Sequence, residues 1–353
     1  MFLECTNDNT LSINFKVYGQ GPAIVLFHPS PNSSRMMHPL ASILSKCFTV
    51  ICPDTPGYGK SDKLITKQPS MKDFVAAFKK LFDDLGLKSF AIYGSATGAQ
   101  LAIRYGLEYP KDVSFLFLDN TAHFTDEERT AILSNYFPDL TPTLDGQHLV
   151  KLWDIVDSLF RYFPWCFKDE AHKLNGPVPP PEVLHGIVMD YLQAGGDYDI
   201  AYKAAFNHEK VDYIQALQVP TTIFRWQGSI LKSYTDRLFD YTLPDNCKGL
   251  EISKDRSARS EEMAAHIKEV FTSSAIYNKD QIAQRCDATP DSKESKVMLG
   301  KPPIPTPEGI YLIKAWHQLR DREFLSDKEQ SKEIDIEALQ LQSLLYDWYS
   351  QNN

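Results

Sequence analysis

The chain lacks any apolar stretch close to the roughly 20 residues that a bilayer-spanning helix needs. Its first ten residues, MFLECTNDNT, lack the basic region and apolar run of a secretory leader. Both absences point to a protein that works in the cytoplasm, with no membrane as partner. No block of Lys and Arg is interleaved with aromatics, and the formal charge of −9 works against binding phosphates, so nucleic acid is excluded as a partner. Cysteine is scarce: Cys5, Cys47, Cys52, Cys166, Cys247 and Cys286 lie far apart, without a CxxC pair or a histidine at zinc-site spacing. The expectation is buried thiols, no metal and no cofactor. Cys52, inside the apolar run FTVICPD, reads as a small packed hydrophobe.

What the chain does have is length and alternation. With 353 residues, 43% hydrophobic and 24% charged, it can build one large domain with additions. Short apolar runs rich in β-branched and aromatic residues alternate with stretches of helical period, which predicts a mostly parallel sheet with helices on both faces. The strand candidates are AIVLFH (23–28), FTVICPD (48–54), SFAIYG (89–94), VSFLFLDN (113–120), TTIFRW (221–226) and KGLEIS (248–253). Helices are expected over 33–46, 69–86, 97–109, 233–240 and 260–273, with Ser70 capping the second and Pro110 ending the third. The leading TLSINFKVYGQGP alternates polar and apolar residues and reads as an antiparallel edge hairpin.

Strands stop after Asn120 and resume at Thr221. An insertion of that length in an α/β sheet is expected to be a helical cap over the ligand site, with Pro177-Val-Pro-Pro-Pro181 as a stiff joint between cap helices. The division is therefore core 1–121, cap 122–212, core 213–275, then a polar linker and a C-terminal helical module over 276–353. That module is related to the cap. PTLDGQHLVKLW (142–153) and PTPEGIYLIKAW (305–316) share Pro, Thr, Gly, Leu, Lys and Trp at a constant offset (316 − 153 = 163). The match reads as a duplicated module, and one such module cannot bury its own apolar face. It must dock onto the core, the cap or a second copy of this chain, which makes homo-oligomerisation one way to cover it.

The stretch Gly94-Ser95-Ala96-Thr97-Gly98 has the small residues of a nucleophile elbow, a sharp strand-to-helix turn that exposes a reactive side chain. Its centre is Ala96. Taken with the order of strands, elbow and cap, this makes the chain resemble the α/β-hydrolase family over residues 10–275. Two further segments carry the resemblance: His28-Pro29-Ser30-Pro31 is similar to the family's His-Gly-x-Pro turn, and Asp54-Thr-Pro-Gly57-Tyr-Gly59-Lys-Ser61-Asp62 to its D-x-x-G-x-G-x-S-D segment. The resemblance implies an oxyanion hole built from backbone amides, here those of Ser30 and Thr97. It also implies an acid after strand TTIFRW, where the chain has Gln227-Gly228-Ser229, and a histidine base after KGLEIS, where Arg256 most nearly fills the place. Arginine gives up no proton near neutral pH.

The expected ligand pocket is thus His28, Ser30, Ser95, Ala96, Thr97, Ser229 and Arg256. A relocated acid–base pair of Asp119 and His123 is an alternative, as is a mere strand end at Asp119-Asn120. His28 serves equally as ligand contact or turn brace, His266 as a packed or solvated helix residue, and Phe160-Arg-Tyr-Phe-Pro-Trp165 as core sooner than cavity lining. Three functions follow. The leading one is a protein without a recognisable triad that binds or transforms a small, partly apolar carbonyl or carboxylate molecule. The second is a hydrolase of small esters, amides or C–C bonds whose nucleophile has been replaced by Ala96. The third is a non-catalytic interaction protein that docks through its C-terminal module.

Overall fold

Continuous apolar runs become strands buried on both faces, because a parallel sheet sandwiched by helices offers no solvent side. In the computed structural model, which describes residues 11–273, 302–323 and 334–350, seven strands form one sheet. They are β1 (Phe15–Tyr18), β2 (Ala23–Phe27), β3 (Thr49–Pro53), β4 (Phe90–Ser95), β5 (Val113–Asp119), β6 (Thr221–Trp226) and β7 (Cys247–Ile252), in the order β1-β3-β2-β4-β5-β6-β7. Every pairing is parallel except β1 with β3. The expected edge hairpin is therefore corrected. β1 is an antiparallel edge strand, but its partner is β3, with Val17 opposite Ile51, and β2 lies on the far side of β3, between it and β4.

Helices α1 (His38–Leu44), α2 (Met71–Asp84) and α3 (Thr97–Glu108) follow β2, β3 and β4. The α2 helix buries Met71, Phe74, Val75, Phe78, Leu81 and Phe82, a stripe at helical spacing, and its start is fixed by the Asp73 carboxylate, which accepts from the Ser70 amide at 2.7 Å. Phe78 meets Phe27 at 4.7 Å between ring centres. Between β5 and β6 the chain forms α4 (Asp126–Asn135), α5 (Gln147–Leu159), α6 (Pro181–Ala194), α7 (Ile200–His208) and α8 (Val211–Gln215); α9 (Lys232–Asp236) and α10 (Arg259–Ser273) complete the first part. On the other face of the sheet from α2 and α3, α1 and α10 pack together, with Phe48 4.8 Å from Phe271.

The described residues divide into two compact units, the first holding those of 11–133 and 198–273 and the second those of 134–197, 302–323 and 334–350. Of the insertion expected as one cap over 122–212, α7 and α8 thus belong with the sheet, where they pack on α3. The polar linker expected near 278–296 lies outside the described residues.

The second unit holds α5, α6, α11 (Ile310–Glu323) and α12 (Ile334–Ser350). Each of α5 and α12 packs against both α6 and α11. Leu312, Ala315, Trp316, Leu319, Leu341 and Leu345 are fully buried, so the apolar face of the C-terminal helices is spent inside this unit. The two similar stretches face each other. Trp153 Nε1 donates to Pro307 O at 3.1 Å and Trp316 Nε1 donates to Leu144 O at 3.0 Å. Phe163 and Trp165 are buried, the latter edge-on to Tyr136 at 5.6 Å.

Candidate functional site

The elbow glycines are explained by contact. A Cβ at Gly94 would lie 2.1 Å from the Gly98 carbonyl oxygen, and one at Gly98 would lie 2.2 Å from that of Phe27. The helix leaves the strand so tightly that both positions must be bare. Between them Ala96 sits at φ 49°, ψ −112°, a conformation that costs an L-residue of order 1–3 kcal/mol. From Phe90 to Ile103 it alone is not buried. The strained turn holds up a methyl group. The Ala96 carbonyl accepts from the Ala99 amide at 2.8 Å and starts α3, whose first two amides, of Thr97 and Gly98, precede the helical hydrogen-bond ladder and carry the positive end of the helix dipole. The Thr97 hydroxyl is buried with no partner among the described residues.

Beside the elbow, β5 ends in Asp119, opposite Ser95 in the sheet register and fully buried. Its Oδ2 accepts from Tyr93 Oη at 2.7 Å, Ser95 Oγ at 3.2 Å and Asn120 Nδ2 at 3.2 Å. It also takes an ion pair with Arg259, the first residue of α10. Asn120, at φ 51°, donates to Ser95 Oγ at 3.1 Å, and its Oδ1 accepts from Ser229 Oγ at 2.5 Å. One polar network thus joins the elbow, the strand end where an acid was sought and the helix start where a base was sought. It contains no histidine.

Two expectations are corrected here. The arginine that enters the network is Arg259, not Arg256: Arg256 is exposed and its guanidinium carbon lies 5.9 Å from the Trp226 ring centre, whereas that of Arg259 lies 4.2 Å from it. The helix begins one residue earlier than its pattern suggested, which turns Arg259 inward. Asp119 and His123 are not brought together either. His123 Nδ1 accepts from the Val211 amide at 3.3 Å and its Nε2 meets Tyr241 Oη at 3.1 Å, while burial and the nearby Arg237 and Arg129 push the imidazole below its ordinary range.

His28 lies in the brace position. Its Nδ1–H donates to Pro29 O and its Nε2 accepts from the Thr55 amide, both at 2.9 Å, in a fully buried ring. The next loop is organised by Asp54, whose carboxylate accepts from the Ser34 amide at 2.7 Å, the Lys60 amide at 3.0 Å and Asn14 Nδ2 at 2.7 Å. Burial works to raise that carboxyl, but His28 and these amides hold it below the usual range. A Cβ on Gly59 would strike the same carboxylate at 2.3 Å, which accounts for the second glycine of the segment. Ser30 is buried near Tyr58, whose hydroxyl donates to Tyr198 O at 2.6 Å. His266 Nε2 bonds Thr222 Oγ1 at 3.1 Å and its ring lies edge-on to Phe224 at 5.9 Å.

Sequence reasoning missed His208, which is buried on α7, bonds Gln100 Oε1 at 2.9 Å through Nδ1 and accepts from Arg104 Nε at 3.1 Å. Burial, helped by Arg104, pushes its pKa down to about 3.

Residues 22–149, which include the elbow and Asp119, match the family model described as the alpha/beta hydrolase fold. The chain has the α/β-hydrolase fold. It is 31% identical over 191 residues to fluoroacetate dehalogenase of a Burkholderia species, a match covering 52% of this chain and 53% of that one. It is 29% identical over 113 residues to 2-hydroxy-6-oxo-6-phenylhexa-2,4-dienoate hydrolase of Burkholderia cepacia, covering 30% of this chain and 39% of that one. The alignments thus span about half or less of these relatives. Among solved structures, a thermophilic esterase from Thermogutta terrifontis superposes with a TM-score of 0.55 at 18% identity, covering 77% of this chain and 97% of that one. The esterase of Exiguobacterium antarcticum superposes with a TM-score of 0.57 at 15% identity, covering 76% and 98%. Among the described residues no helix is long and apolar enough to cross a membrane.

Proposed function

We propose that this α/β-hydrolase-fold protein is non-hydrolytic and binds a small, partly apolar carbonyl or carboxylate compound at its elbow. The observation that carries the reading is the Asp119–Arg259 pair beside Ala96. The carboxylate next to the elbow is matched to a group that cannot take a proton, and the tip of the elbow can attack nothing. The backbone of the site is kept, with the Thr97 amide at the positive end of α3 and the Ser30 amide as the second donor that the fold resemblance implies. Amide bonds to a charged oxygen contribute about 1.5 to 3 kcal/mol each, enough for affinity without a catalytic side chain. Fluoroacetate dehalogenase is named for a small carboxylate, which agrees with this ligand class. Free Cys47, Cys52, Cys166 and Cys247 suit a reducing cytoplasmic setting.

The reading of Ala96 as a replaced nucleophile in a working hydrolase would need an acid and a histidine around it, and Ser229 and Arg259 stand in those places. The stretches 142–153 and 305–316 act as a duplicated module, supported by their matching hydrogen bonds, and the apolar face of the second copy is covered by α5 and α6. That weighs against this face as a surface for an outside partner or a second subunit. The test is a calorimetric screen of small aliphatic and aromatic acids and esters on the native chain and on Ala96→Trp, whose indole would fill the space above the elbow. Ligands that bind only the native chain are expected; equal binding to both would place the site elsewhere.

A further inference from the structure

The charges around Trp226 do not balance. Arg259 and Arg256 both lie over its ring, at 4.2 and 5.9 Å, and among the described residues the only carboxylate on either is Asp119. Of the acidic side chains nearest in sequence, Glu261 is exposed and three others are engaged elsewhere. Asp255 accepts from the Ser257 amide at 2.8 Å and its hydroxyl at 2.7 Å, Glu262 from the Ser253 amide at 2.9 Å, and Glu251 pairs with Arg225 at 2.8 Å. Among the described residues Arg256 has no ion-pair partner. One unit of positive charge is left beside Trp226 in a chain whose net charge is −9. Partial burial of its guanidinium and the neighbouring Arg259 both disfavour the charged form of Arg256, although the residue as a whole is exposed.

Unpaired donors lie in the same place. Trp226 is 8% exposed, yet its Nε1–H is buried without an acceptor among the described residues, as is Arg259 Nε. Asp119 Oδ1 also lacks a partner among the described residues and is the oxygen that Arg259 Nε would take in a closed fork. Closing that fork would leave the Trp226 indole N–H and the Arg256 guanidinium still seeking an acceptor. A buried donor left unmade costs about 1 to 3 kcal/mol, so an anion that meets it gains more than its charge alone would give.

We infer that Arg259 and Arg256, stacked on Trp226 and anchored by Asp119, form a carboxylate receptor where a hydrolase would hold its base, and that the compound bound at the elbow is a small monocarboxylic acid, not a neutral ester. This rests on the reading of the elbow as a binding site. Arg259 is the inner group, held rigid by Asp119 and the indole face. Arg256 is the outer group, exposed enough to meet the anion from solvent. The two guanidiniums offer forked N–H pairs that match the two oxygens of a carboxylate.

Benzoate and benzamide are the probes, because they share shape and differ in charge. Titration calorimetry on the full chain at low and at 0.5 M salt should show benzoate binding about tenfold or more tighter than benzamide, with the preference shrinking as salt rises. Arg256→Gln lies on the surface and should fold normally; it should weaken benzoate about fivefold or more and leave benzamide unchanged. Arg259→Lys keeps a cation for Asp119 and should lose most of the preference, since an ammonium lacks the fork. Equal affinity for the two probes, with both lost in Ala96→Trp, would overturn the arginine receptor while leaving the elbow as the binding site. Absence of binding by either probe to the folded native chain would overturn both.

Discussion

Trp153 and Trp316 exchange places across the helical unit: each indole donates to the carbonyl nine residues before the other's position in the matched stretch, Trp153 to Pro307 and Trp316 to Leu144. The glycines of the two stretches complete the exchange. Gly309, at φ 70°, presses on the Trp153 ring, and Gly146, at φ 76°, presses on that of Trp316. His148 meets Trp316 at 4.7 Å and Tyr311, its counterpart, meets Trp153 at 5.5 Å. Two copies of one motif each build the seat for the other's tryptophan, so the identities at Gly and Trp record a contact and not just common descent.

Gly309→Val should destabilise this unit by about 2 kcal/mol or more, because a Cβ there would lie 2.2 Å from the Trp153 ring and the residue must hold a positive φ. Gly146→Val should cost less, since its nearest ring atom is 2.9 Å away. Urea unfolding followed by tryptophan fluorescence is the measurement. Unchanged midpoints in both variants would show that the seats do not matter.

The sheet was legible because β2, β3, β4 and β5 are buried on both faces and so appear as unbroken apolar runs. Gly94 and Gly98 were legible for a similar reason: close backbone approach admits nothing else. What could not be read was side-chain direction at element ends. A one-residue shift in the start of α10 decides whether Arg256 or Arg259 turns toward Asp119, and helix starts are uncertain by about that much. His208 carried no signal, since one histidine among the alanines of α7 has no periodicity, and its partners Gln100 and Arg104 lie a hundred residues away. The β1 partner was missed because alternation marks an edge strand without saying which neighbour it joins.

Ala96→Ser alone should not produce an esterase. A serine hydroxyl needs a base within hydrogen-bond reach, and Asp119 is taken by Arg259 while His28 and His123 have both ring nitrogens engaged elsewhere. Hydrolysis of p-nitrophenyl acetate by the variant should stay at the level of the native chain. A burst of p-nitrophenol followed by steady turnover would reveal a base that the network does not show.

Asp119→Ala should be among the most damaging single changes in the sheet unit. The carboxylate is fully buried and takes bonds from Tyr93, Ser95, Asn120 and Arg259, so its removal leaves several donors unpaired. Breaking a buried pair in this way costs about 3 to 5 kcal/mol, and the residual exposure of Arg259 favours the lower figure. A loss under about 1 kcal/mol in urea unfolding would mean that the network contributes little to stability.

Acid should destabilise the sheet unit through His208. Its neutral ring donates from Nδ1 to Gln100 and accepts at Nε2 from Arg104, so a second proton would set two N–H groups against each other. The folded pKa of about 3 lies below the ordinary 6.5, so between these values the unfolded chain binds the proton more readily and stability falls as pH falls. The penalty is absent above about pH 6.5 and grows to about 2 kcal/mol by pH 5. His208→Gln supplies an acceptor for Arg104 and a donor for Gln100 without a titrating group. Its urea midpoint should therefore fall less steeply than that of the native chain between pH 7.5 and 5. Parallel curves for the two proteins would show that His208 takes up its proton in the fold without cost.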